Sequence, residues 1–243
     1  FLNLEFKNFH YENSITWGIL NVAIPSTAEN LIFSALGIIE NYLLVLVAGT
    51  VAVATYTAGM RLIQLSMIPL IGFGTALLTV AGASYGARNY QKLQDAFFYT
   101  LKLGLIVSTV MAVIFFIFAP QISMVFAYSS SASLAPRIAV LIQIMIIFIY
   151  AVCLGMVSAM LFQGVGKGTY SLIITLLRSL ILESVFAYLF CFIFGWGVVG
   201  IYAGVVFGCF LGGTVGYIWA KIFISRFKKY AKKETIPQEN LFQ

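Results

Sequence analysis

The 243-residue chain is 61% hydrophobic and only 9% charged, with a mean hydropathy of +1.00. Soluble domains carry about 25% charged residues, so a water-soluble globular domain is excluded. The formal net charge of +6 does not call for nucleic acid, because in a lipid-embedded chain the placement of cations matters more than their sum.

The opening stretch, FLNLEFKNFHYENS, is polar and aromatic, shows no cleavable signal peptide, and reads as a loop between two helices. Apolar runs of membrane length, about 20 residues each, then recur six times. Span one covers about 15–47, opened by Ser14 and bent at Pro25. A turn at Ala48–Thr50 leads to span two, about 53–84. Span two carries Arg61 and Gln64, a helix break at Pro69-x-x-Gly72-x-Gly74, and a small-residue exit at Gly82–Gly86. An amphipathic stretch, 89–99, enters span three, which ends near Ala119–Pro120; the loop SSSASLAP precedes span four, 137–162. After GVGKGTYS come span five (172–194), the turn GWG and span six (198–224), then a basic tail. The final ENLFQ reads as a protease-tag scar. The fold class is an all-α membrane protein with six transmembrane helices.

Eleven of the fourteen basic residues fall on one side of these spans, Arg137 on the other, and Arg61 and Arg178 inside them. By the positive-inside rule both termini face the cytoplasm, in agreement with an even number of spans.

A cation and a helix breaker at membrane depth persist only where protein or a water-filled cavity satisfies them; span two is therefore a transporter's helix. Three acids lie at that depth: Glu29, Glu40 and Glu183. Burying a carboxylate there costs at least about 2.5–3.5 kcal/mol, so each needs a partner, a proton or a cation. Pro25 frees the carbonyl one turn before it, which makes Glu29 a candidate H⁺ or Na⁺ site; the alternative is a neutral, hydrogen-bonded carboxyl packing on span two. Glu40 and Asn41 lie nearer the outer end, and the eleven-residue step from Glu29 puts Glu40 on nearly the same face.

Arg178 and Glu183 are five apart, about 140° around an α-helix, so each is expected to address another helix. Arg61 reads as a tether to Glu29 or Glu183, with Gln64 on its face. Tyr42, Tyr56, Tyr150, Tyr188 and Tyr202 either line a cavity or anchor helix ends. Gly200, Gly204, Gly208, Gly212 and Gly216 form an i, i+4 stripe for close helix approach, within the same bundle or against a second one. The cysteines, Cys153, Cys191 and Cys209, lie in apolar runs and read as reduced packing residues. Gly164–Lys167 lacks phosphate-loop spacing, His10 has no second metal ligand, and no catalytic triad is visible, so neither an enzyme nor a metal site is expected.

The segments IPSTAENLIFSALGIIENYLL, VAVATYTAGMRLIQLSMIPLIGFGTALLTVAGASYGARN, AMLFQGVGKGTYSLIITLLRSLI and GWGVVGIYAGVVFG together resemble the multidrug and toxic compound extrusion (MATE) transporters. The resemblance covers about 14–225 and is to the second six-helix lobe of a two-lobe protein. It implies an antiporter of the cell membrane, expelling organic cations or amphipathic drugs against H⁺ or Na⁺ through a cavity between lobes, with no further cofactor. It also implies a partner N-terminal lobe and a lining drawn from spans one, two, four and five. Residues 1–13 become an inter-lobe linker, 14–225 the lobe, and 226–243 a cytoplasmic tail. An acid that some branches carry in span one falls here on Phe33, with Glu29 one turn earlier. Another, in span four, is missing from this chain. The alternatives are a lipid-linked sugar flippase of the same superfamily, or a six-helix half that only assembles with a partner.

Overall fold

The computed structural model describes residues 13–127 and 135–234, which are helical apart from short turns. The expected linker 1–13 (Asn13 apart), His10, most of the SSSASLAP loop and the end of the chain lie outside the described residues. The elements are α1 (Asn13–Gly86), α2 (Tyr90–Ala127), α3 (Ala135–Gly164), α4 (Gly168–Thr175), α5 (Ser184–Tyr188) and α6 (Gly197–Glu234). π-Helical segments at Leu176–Glu183 and Leu189–Ile193 flank α5, so that Gly168–Ile193 forms one apolar unit.

Among the described residues, five helical segments are long and apolar enough to cross a membrane, the first of them carrying both of the expected spans one and two. The first of them, α1, has 74 residues, about 110 Å if straight, against a bilayer core of about 30 Å. It is not straight. Gly49 sits at φ 71°, ψ −165°, a region open essentially to glycine alone, and the chain reverses there. The Tyr56 hydroxyl reaches the Glu40 carboxylate at 2.8 Å, whereas sixteen residues of continuous helix would hold them about 24 Å apart. The turn expected at Ala48–Thr50 therefore exists as a single glycine inside an otherwise unbroken helical run. α2 continues through Pro120 to Ala127, and α6 continues past the expected end of span six to Glu234, so that Arg226 and Lys228 stand on it.

α3 is the central strut. Ile138, Leu141, Ile142, Met145, Ile149 and Phe162 on it are almost completely buried, as expected of a helix apolar on every face. Its flank is closed by α6, whose glycines let two backbones meet. A Cβ on Gly204 would collide with the Ala187 amide, and one on Gly208 or Gly212 would lie 2.6 Å from the Cα of Glu183 or Arg178. Gly200 meets the Phe190 carbonyl in the same way. The stripe thus serves packing within one bundle and holds the Gly168–Ile193 unit, with its two charged side chains, against the rest.

Candidate functional site

A cavity of about 570 Å³ opens between the two arms of α1, α3 and the Gly168–Ile193 unit. Glu29, Glu40 and Asn41 enter it from the first arm; Tyr56, Arg61 and Gln64 from the second. Arg178 and Glu183 come from the π-helical segment. All eight polar residues expected from the sequence therefore share one space. Its size is that of a small-molecule site, which is typically about 300–1,000 Å³ with a few polar groups in an apolar wall.

The three carboxylates are buried, Glu29, Glu40 and Glu183 being 8%, 5% and 2% exposed, and each is satisfied differently. Glu183 Oε1 lies 3.9 Å from Arg178 Nε. The expectation that these two address different helices is overturned, and the cause is local. π-Helical i→i+5 bonding brings residues five apart toward one face, where α-geometry would splay them. The Arg178 guanidinium also donates to Ser179 Oγ at 3.3 Å and lies 6.0 Å from the Phe33 ring centroid. Gly155 leaves room for it, since a Cβ there would sit 2.5 Å from Nη1.

Glu40 accepts the Tyr56 hydroxyl at 2.8 Å, and the Tyr56 ring stacks on Tyr202 with centroids 5.8 Å apart and planes 11° from parallel. That bond ties the two arms of α1 together across the Gly49 reversal. Tyr56 alone among the five tyrosines lines this cavity; Tyr42 and Tyr188 are exposed.

Glu29 has neutral partners. The Gln163 side-chain amide donates to its two oxygens at 3.3 and 3.2 Å, and the same nitrogen lies 3.2 Å from Ser171 Oγ. Thr175 and Arg178 also line the cavity, and Arg178 forms no ion pair with Glu29 among the described residues. Gln163 went unnoticed in the sequence because it directly precedes the GVGKG turn. Its signal was a side-chain amide at the closing end of a largely apolar span. Pro25 acts through packing: a Cβ on Gly168 would lie 3.1 Å from the Asn21 carbonyl, the one its ring leaves unbonded, and 3.3 Å from the ring. The freed carbonyl is therefore covered by the start of α4 and is not offered to Glu29. Pro69 stands inside the second arm, where the helix continues through it; the break expected at Pro69-x-x-Gly72-x-Gly74 is therefore a lost hydrogen bond and not an interruption of the helix.

Arg61 is exposed on the cavity wall. Among the described residues it makes no ion pair with Glu29 or Glu183, so the expected tether is absent.

The residues 25–189 match the family described as MatE. The chain is 23% identical over 223 residues to a probable multidrug resistance protein NorM of Thermotoga maritima, covering 92% of this chain and 46% of that protein. It superposes with a TM-score of 0.91 and 31% identity on the outward-facing conformation of a multidrug resistance MATE family transporter of the MOP superfamily, over 94% of this chain and 51% of that one. On an inward-facing conformation of such a transporter the TM-score is 0.82 at 30% identity, over 93% and 52% of the two chains. The chain spans about half the length of the relatives it matches.

Proposed function

The chain belongs to the MatE family of multi-pass membrane transporters, and from that premise we propose that it is one lobe of a secondary active exporter. The exporter expels cationic or amphipathic small molecules in exchange for H⁺ or Na⁺, in the cell membrane, with both termini cytoplasmic and a second six-helix lobe completing the cavity. The observation that carries this reading is Glu29. Its carboxylate is buried on a small-molecule-sized cavity, and its hydrogen-bond partners are neutral. Glu183 has a resident cation, and Glu40, whose donor is also neutral, is engaged in tying the two arms of α1 together; that leaves Glu29 to exchange one cation for another. A proton or Na⁺ on Glu29 excludes a cationic substrate from it, and the reverse, which is the competition an antiporter needs.

The test is efflux of a cationic dye from liposomes holding the full-length protein, with H⁺ and Na⁺ gradients imposed separately. Efflux driven by one gradient supports the proposal, and efflux indifferent to both overturns it. A second reading, flipping of a lipid-linked sugar, is favoured by the Arg61 guanidinium on the cavity wall, which forms no ion pair among the described residues and suits a phosphate-bearing headgroup. A lipid-flipping assay on the same liposomes separates the two.

A further inference from the structure

A second, smaller cavity of about 310 Å³ lies at the end of the bundle, between the α3–α4 turn and the last turns of α6. Among the described residues its wall contains two cations, Lys167 and Arg226, and no carboxylate. The remainder is largely aromatic: Tyr85, Tyr170, Trp219 and Phe223. Lys167 Nζ is held over two rings, 4.8 Å from the Phe223 centroid and 5.2 Å from Tyr170. The cage is braced, since Tyr170 and Trp219 pack with centroids 5.3 Å apart. The turn places Lys167 by backbone bonds, its amide donating to the Phe162 carbonyl at 2.8 Å. The following helix, α4, receives no side-chain cap, so the positive end of its dipole adds to the same local field.

None of these groups belongs to the central cavity, and the export cycle above does not use them. Two cations beside amphipathic aromatics at the end of membrane-spanning helices match the chemistry that recognises anionic headgroups. The surface below Arg226 indicates what the anion is attached to. Ile222 and Ile218 follow it at i−4 and i−8 on α6, 47% and 49% exposed, so an apolar track runs from the cation into the membrane region. A free phosphate has no use for that track; an acyl chain does.

We propose that this cavity binds the phosphate headgroup of an anionic phospholipid, with Lys167 and Arg226 as its cationic ligands and the Ile222–Ile218 stripe along an acyl chain. The lipid would clamp the α3–α4 turn, and with it Gly168 against Pro25, to α6.

The test is native mass spectrometry of the detergent-purified full-length protein titrated with phosphatidylglycerol or phosphatidylcholine. Wild type retains phosphatidylglycerol preferentially. The double variant K167Q/R226Q loses about twentyfold in phosphatidylglycerol affinity, consistent with two surface cations, and is unchanged toward phosphatidylcholine. K167R/R226K, which keeps both charges, stays within about threefold of wild type. K92Q/K102Q, an equal charge change on α2, does the same. An equal loss in K92Q/K102Q means general surface charge and overturns the site, as does loss of binding in K167R/R226K. A soluble ligand is identified instead if millimolar inorganic phosphate displaces phosphatidylglycerol with the same dependence on Lys167 and Arg226, and that result overturns the lipid assignment.

Discussion

Gln163 near the end of α3 donates its side-chain amide to both carboxylate oxygens of Glu29 on the first arm of α1, bridging 134 positions of sequence at 3.2–3.3 Å. The contact joins two of the elements that frame the central cavity and supplies a donor without a charge. A donor of that kind orients a carboxylate and leaves it free to take a cation.

Removing Gln163 should therefore weaken function more than it weakens the fold. A hydrogen bond to a charged group contributes about 1.5–3 kcal/mol, so Gln163→Ala should slow gradient-driven efflux roughly tenfold or more. The unfolding midpoint in detergent should fall only modestly, by no more than that contribution, since the side chain is only partly buried. Gln163→Glu, which sets a second acid against Glu29, should be worse still. Efflux at wild-type rates in both variants would remove Gln163 from the account.

The placement of Glu29, Glu40, Arg61 and Gln64 on one cavity was legible in the sequence. Helical periodicity gives the face, and the cost of charge in lipid says that the face cannot point outward. The relation of Arg178 to Glu183 was not legible, because an α-helix puts residues five apart on different faces and nothing in LLRSLILE announces a π-helix. Gly49 was read as part of a turn, yet how a helical run reverses on one residue depends on its φ and ψ, which composition does not encode. The Arg61 tether failed for a third reason. Charge balance says that a partner is wanted, but only the fold says which carboxylates are already engaged.

The Arg178–Glu183 pair should respond asymmetrically to mutation. Removing one partner of a buried pair strands the other charge at a cost of about 3–5 kcal/mol. Arg178→Met or Glu183→Leu alone should lower the unfolding midpoint sharply. The double variant, which buries no charge, should recover most of the loss. Single variants as stable as wild type would show that the 3.9 Å contact carries no weight.

Glycine substitutions should separate strain from collision. At Gly49 an added Cβ meets nothing within 4 Å but the backbone sits at φ 71°, so Gly49→Ala should cost about 1–3 kcal/mol through conformation alone. At Gly208 the Cβ would press on the Glu183 backbone, with an overpacking cost of about 1–3 kcal/mol. Gly18 lies in ordinary helix with open space around it, and Gly18→Ala should be neutral or stabilising by up to about 1 kcal/mol. Midpoints from thermal unfolding of the three variants check the order.

The account rests on Glu29 as the group that exchanges one cation for another, and transport by Glu29→Gln measures that most directly. In liposomes with imposed H⁺ or Na⁺ gradients, Glu29→Gln should fold and insert as wild type does but lose gradient-driven dye efflux. Glu29→Asp, which keeps the charge, should retain a measurable fraction. Efflux by Glu29→Gln at the wild-type rate under the driving gradient would contradict the account.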